Sequence, residues 1–288
     1  MKRRDFLRKK GTPYRFLTSR IGMVSPFFRQ TLNPEPPFRF SVSTSMYPDS
    51  PFEVAIDEIA KTGAQAVDLW DTPNYPVNCM DWVWKRRPWM LKEYLSNCGL
   101  KLFAFSIYFS PGNEVEERLE WLAEAGGEVA VLGGGAAQGQ PVAEGLKRLL
   151  PLAERAEKLG IRIAGENHGG SSLNTIAELR EFAQLATSPA LGIALAPYHV
   201  MGNSESVAEA VEAIASKLFF FYAWQRAPGL AELPGDGTLD FVPVLQALRQ
   251  VGYTGYLNLF THTQAPKDEM TAAVIRAREY LERLALTP

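Results

Sequence analysis

From Phe38 to the C terminus the sequence repeats one unit eight times, a short run of β-type residues followed by an amphipathic stretch of helical period. The runs are Phe38–Tyr47, Ala64–Trp70, Lys101–Phe109, Glu128–Leu132, Ile161–His168, Leu191–His199, Leu218–Trp224 and Tyr256–His262. The helical stretches are Pro51–Thr62, Met80–Asn97, Asn113–Ala125, Pro141–Leu159, Leu173–Ala186, Ser204–Ser216, Phe241–Val251 and Asp268–Leu286. Gly63, Gly99, Gly126, Gly160 and Gly252 each stand where a helix should stop just before the next strand. Runs such as Ile161-Arg162-Ile163-Ala164 and Leu218-Phe219-Phe220-Phe221 lack the open polar face of a hairpin, and connections of this length suit parallel crossovers. Eight such units predict an α/β fold, a single (β/α)8 TIM barrel over residues 37–288. A doubly wound open sheet is the competing arrangement. It usually carries a glycine-rich loop after its first strand, and Ser43-Thr44-Ser45-Met46 is not one.

Residues 1–36 read differently. The first 30 hold nine Lys/Arg against one Asp, whereas the rest of the chain holds 31 Asp/Glu against 21 Lys/Arg. An acidic body argues against a nucleic-acid groove, which needs a basic surface to neutralise phosphates. The opening Met1-Lys2-Arg3-Arg4-Asp5-Phe6-Leu7-Arg8-Lys9 is similar to a twin-arginine export signal, but the apolar segment that should follow is broken by Pro13, Arg15, Arg20, Pro26 and Arg29. The expectation is a degenerate leader and Pro-rich linker, with a cytoplasmic location favoured over export. No run of 18 apolar residues suggests a membrane span, and Cys79 and Cys98 have no metal-type spacing.

In a TIM barrel the chemistry sits at the C-terminal ends of the strands. The chain has three histidines, and His168, His199 and His262 all fall at predicted strand ends. Tyr47, Trp70, Tyr108 and Trp224 end other runs, and Asn167 and Gln225 lie beside them. Ring faces cover the apolar C–H surface of a sugar while amides and imidazoles bond its hydroxyls, so this lining suits a polyhydroxylated ligand. Arg226 adds a charge able to hold a carboxylate or phosphate.

Four segments, Gly165-Glu166-Asn167-His168-Gly169, Ala196-Pro197-Tyr198-His199, Pro234-Gly235-Asp236-Gly237-Thr238-Leu239-Asp240-Phe241 and Gly252-Tyr253-Thr254-Gly255-Tyr256, resemble the sugar isomerase and epimerase superfamily with a xylose-isomerase-like barrel. The resemblance implies a divalent metal held by Glu, Asp, His and Glu from strands five to eight, and proton transfer between two carboxylates. Glu166 matches the first ligand, but Ala196, Tyr222 and Phe260 stand at the other three positions, and Gln225 takes the acidic position that follows Tyr222. The expectation is therefore no metal and no other cofactor. Glu166 remains as a base, with His199 or His262 as the acid opposite. A relocated metal site on Glu166, His168, His199 and His262 is the alternative for the ion.

Two readings follow from the resemblance. One is an isomerase- or epimerase-like enzyme acting on a sugar or sugar derivative, and the other is a non-catalytic carbohydrate-binding barrel that has lost turnover. An endonuclease of the same superfamily would need several metal ligands and a basic groove. The partner in either reading is a small molecule, with no nucleic acid and no membrane, and a homo-oligomer is left open.

Overall fold

The structure, a computed structural model, describes residues 38–71, 79–108 and 112–286, so the basic N-terminal extension lies outside the described residues. Eight parallel strands close into a barrel in sequence order: β1 (Arg39–Ser43), β2 (Ala66–Asp71), β3 (Lys101–Ile107), β4 (Val129–Gly133), β5 (Arg162–Glu166), β6 (Leu191–Leu195), β7 (Leu218–Ala223) and β8 (Tyr256–Leu259). β8 pairs back onto β1, with Phe40 opposite Leu257. The helices are α1 (Phe52–Lys61), α2 (Cys79–Trp84), α3 (Pro88–Asn97), α4 (Gly112–Glu124), α5 (Val142–Leu159), α6 (Ile176–Leu185), α7 (Pro197–Gly202), α8 (Val207–Ile214), α9 (Phe241–Gln250) and α10 (Lys267–Ala285). No helix among the described residues is long and apolar enough to cross a membrane.

The five predicted glycine stops all adopt left-handed backbone, with φ between 70° and 78°. That conformation ends a helix without a Cβ clash and turns the chain into the next strand. Proline sets two departures from the predicted elements. Pro88 has no N–H to donate and forces extended backbone on Arg87 (φ −74°, ψ 145°), so the single helix expected over Met80–Asn97 is two, α2 and α3. Pro197 likewise ends β6 at Leu195 and occupies the first position of α7, which takes His199 off the strand and onto a short helix.

Strand alternation divides the buried side chains into two cores. Outward residues such as Phe40, Val42, Leu69, Phe105, Ile163, Ile193, Phe221 and Leu257 pack under the helices. Inside the barrel the large rings of Phe103, Phe220, Tyr222 and Tyr256 fill space left by Ala66, Ala104, Ala164 and Ala194. Pairing of β2 with β3 slips by one residue, since Val67 faces Leu102 while Asp68 faces Ala104. Phe103 is the extra residue of this bulge. Both Phe103 and Ala104 therefore turn inward, and Ser106 and Tyr108 follow Ala104 onto the barrel interior.

Candidate active site

The interior of the barrel carries a continuous polar cluster. Asp68 of β2 is fully buried and accepts hydrogen bonds from Ser43 Oγ (2.6 Å), Trp70 Nε1 (2.7 Å) and Ser106 Oγ (2.8 Å). Asn258 of β8 donates to Ser43 Oγ (2.8 Å) and accepts from Ser41 Oγ (2.8 Å). Ser106 Oγ lies 3.5 Å from the Tyr222 hydroxyl, which lies 3.0 Å from the Tyr108 hydroxyl. Tyr108 then donates to Glu166 Oε2 at 2.5 Å. Burial, opposed by these hydrogen bonds, raises the Asp68 carboxyl to about 7. Burial also raises Glu166 to about 7, with the Tyr108 hydrogen bond opposing and the Asp68 charge adding to the shift. Desolvation holds the Tyr108 and Tyr222 phenols well above their usual range, so both stay protonated.

Above this cluster stands an aromatic wall. Trp70 stacks on Phe260 (ring centroids 4.8 Å) and Trp224 stacks on Tyr198 (4.2 Å). His262 meets Trp224 edge to face at 4.6 Å, and the His168 and His199 rings are 4.2 Å apart. His199 Nδ1 accepts the Gly169 N–H (3.2 Å), which puts the imidazole proton on Nε2, a buried atom with no hydrogen-bond partner. Desolvation, with electrostatic contributions from His168, His262 and Arg226, lowers His199 to about 3. His199 is therefore a neutral N–H donor at pH 7.

Glu232 follows β7 in a 3-10 turn, Gly229–Glu232, and its Oε2 accepts from Trp224 Nε1 (3.2 Å), Thr261 Oγ1 (2.6 Å) and the His262 N–H (2.8 Å). One buried carboxylate thus ties the ends of β7 and β8 together. Arg226 is exposed at the rim, with its guanidinium carbon 5.6 Å from the Tyr198 ring centre.

Glu166, Trp70, Tyr108, His168, His199, Trp224 and His262 thus come together at the C-terminal mouth, with Arg226 beside them. Three expected binding residues stand apart. Tyr47 is turned into the helix layer by the 3-10 turn Thr44–Met46, and its hydroxyl lies 3.1 Å from Thr271 of α10. Asn167 is fully buried, with both ends of its amide bonded to the backbone of Ala196 (2.6 and 3.3 Å). Gln225 is buried too, donating to Leu233 O (2.9 Å) and accepting from the Leu239 N–H (2.8 Å), so it clamps a loop. Asp68, Ser106, Glu232 and Tyr198 were not singled out from the sequence. The available signal for Asp68 is a carboxylate within Ala66-Val67-Asp68-Leu69-Trp70, on the same strand face as Trp70.

The family profile of the xylose isomerase-like TIM barrel matches residues 56–284. The chain belongs to this family. Inosose dehydratase of Lacticaseibacillus casei is 22% identical over 278 residues, covering 80% of this chain and 89% of that protein. The 3-dehydroshikimate dehydratase of Pseudomonas putida is 29% identical over 147 residues, 46% of this chain and 23% of its own length. Among solved structures, D-psicose 3-epimerase in the presence of D-fructose superposes with a TM-score of 0.68 at 17% identity, covering 84% of this chain and 97% of its own. The IOLI protein with a bound zinc atom superposes at 0.71 with 15% identity, covering 87% of this chain and all of its own.

Three of the four residues at the expected metal positions are poor donors here. Ala196 offers a methyl group, Phe260 is stacked on Trp70, and the Tyr222 phenol is held protonated between Ser106 and Tyr108. Among the described residues no three His, Cys, Asp or Glu side chains are grouped to hold an ion, the histidine cluster included.

Proposed function

We propose that this chain binds a polyhydroxylated, sugar-like ligand at the C-terminal mouth and moves a proton on it through Glu166, without a divalent metal. The observation that carries this reading is the Glu166 carboxyl at the end of β5, raised to about 7 and bonded by Tyr108 beneath an aromatic wall. A carboxyl with that pKa both accepts and returns a proton at neutral pH, which is what general acid–base work on a carbon beside a carbonyl demands. The half-buried Tyr198 ring, backed by Trp224, offers an apolar face to a sugar, and the neutral His199 Nε2–H is a donor left without a partner. The names of the relatives agree, pairing sugars and related compounds with epimerase and dehydratase activities.

The test is a thermal-shift screen against sugars, cyclitols, sugar acids and sugar phosphates, run with Mn2+ and again with EDTA. A binder should raise the melting temperature equally in both. In D2O the wild-type chain should place deuterium on that binder, and Glu166→Gln should slow this by about 10²-fold or more while leaving binding intact. Stabilisation that needs Mn2+ would overturn the metal-free part. A ligand that binds without any deuterium uptake would identify a non-catalytic binding barrel.

A further inference from the structure

The hydrogen bonds inside the barrel count protons. Five groups lie in a row, Asp68, Ser106, Tyr222, Tyr108 and Glu166, separated by 2.8, 3.5, 3.0 and 2.5 Å. That is four links, and the three hydroxyls bring three protons. With both carboxyls ionised, Ser106 points at Asp68, Tyr108 points at Glu166, and Tyr222 has one proton for two neighbouring oxygens, so one link stays empty. One further proton completes the row. Placed on Asp68 it turns every hydroxyl toward Glu166, and placed on Glu166 it turns every hydroxyl toward Asp68. No Arg, Lys or His among the described residues forms an ion pair with either carboxyl; Asp68 faces only Ser43, Trp70, Ser106 and Asn258, and Glu166 faces Tyr108. The hydroxyl and indole donors favour charge on one carboxyl, but no cation among the described residues balances a second buried negative charge.

We propose that Asp68 and Glu166 hold one proton between them and pass it through Ser106, Tyr222 and Tyr108, making Asp68 the second acid of the site although it never touches the ligand. The transfer is balanced: Asp68 releases a proton to Ser106 Oγ, Ser106 releases its own to Tyr222, Tyr222 to Tyr108, and Tyr108 to Glu166. The carboxyl pair keeps one proton and one negative charge throughout. The 3.5 Å step is the one that must shorten before a proton crosses. The value of this arrangement to catalysis rests on the function proposed above, since a proton stored on Asp68 would replace the second carboxylate missing at Phe260. The shared proton itself rests on the interior geometry alone.

Infrared difference spectroscopy on the full chain near pH 7, without ligand, tests it through the carbonyl band of a protonated carboxyl, assigned by 13C-carboxyl labelling of Asp and Glu. The wild-type chain should show one such group in the barrel. Asp68→Asn and Glu166→Gln should each show none, because the new amide N–H completes the row and leaves the surviving carboxyl ionised. Tyr222→Phe cuts the row, and in that background either amide variant should retain part of the band. Ser106→Ala makes the same cut if Tyr222→Phe fails to fold. A band that persists at half strength or more in either single amide variant, or a wild-type chain without one, would overturn the proposal. Failure of the ligand screen leaves this result untouched, so the two readings fail separately.

Discussion

Asp68 sits at the bottom of the interior polar cluster with no exposed surface, and its carboxyl is raised to about 7 rather than lying near 3.8. A raised acid binds its proton more tightly when folded than when unfolded, so its stabilising contribution is complete below about pH 4 and is lost as pH rises through about 7. Glu166, raised from 4.5 to about 7, acts in the same direction. The wild-type chain should therefore lose stability between about pH 4 and pH 7, at up to ~1.4 kcal/mol per pH unit for each proton released. Asp68→Asn should make that fall shallower, as denaturant melts at pH 5 and pH 8 will report, and an unchanged slope would mean Asp68 is not the titrating group. Residue chemistry was only partly legible in the sequence. Trp224 and the histidines are legible because they end apolar runs, and Glu166 because the segment around it resembles the family, but Ser106 is hidden. Plain alternation along Leu102-Phe103-Ala104-Phe105-Ser106 puts Phe103 and Phe105 on one face, and only the bulge turns Ser106 inward.

At the scale of elements, the mouth depends on connections that carry no ligand. The 3-10 turn that brings in Glu232 gathers the Trp224 indole, the Thr261 hydroxyl and the His262 N–H onto one oxygen. Glu232→Ala leaves two buried donors and the part-buried His262 N–H without their acceptor and should cost roughly 2–4 kcal/mol. It should also change tryptophan fluorescence as Trp224 loses its hold, whereas a variant with wild-type stability and emission would show the turn is dispensable. Glycine punctuation made the eight units and their order readable. The expected ends of β1, β5 and β6 overrun the ladder by two to four residues, because apolar and aromatic residues continue past the last ladder bond into Thr44–Met46, Asn167–His168 and α7, where proline and short turns decide the backbone. The amide roles of Asn167 and Gln225 depend on loops folding back from other units, which no local pattern encodes.

For the whole molecule, the closed ring of strands and the replaced donor positions make a joint prediction. Purified protein should contain well below one equivalent of Mn, Mg, Co or Zn, and added Mn2+ should leave its melting temperature unchanged. Ala196→Asp, Tyr222→His and Phe260→Glu together should create Mn2+ affinity measurable by calorimetry if β6, β7 and β8 present those positions to a common point. A tightly bound ion in the wild-type chain would instead direct attention to donors outside the present assignment.

The bulge at Phe103 has a consequence for how this gene tolerates change. In an ordinary strand, losing one codon exchanges the inward and outward faces of everything downstream. β3 already carries one residue more than its pairing with β2 uses, and β7 shows the same slip against β6, where Ile193 faces Leu218 and Ala194 faces Phe220. A one-codon deletion at Phe103 or Phe219 can be absorbed by straightening the strand, at the cost of a ring from the packing. Ser106, Tyr108 and Tyr222 would still face inward, so these two strands can shorten without scrambling the barrel, a latitude that strands in regular register lack.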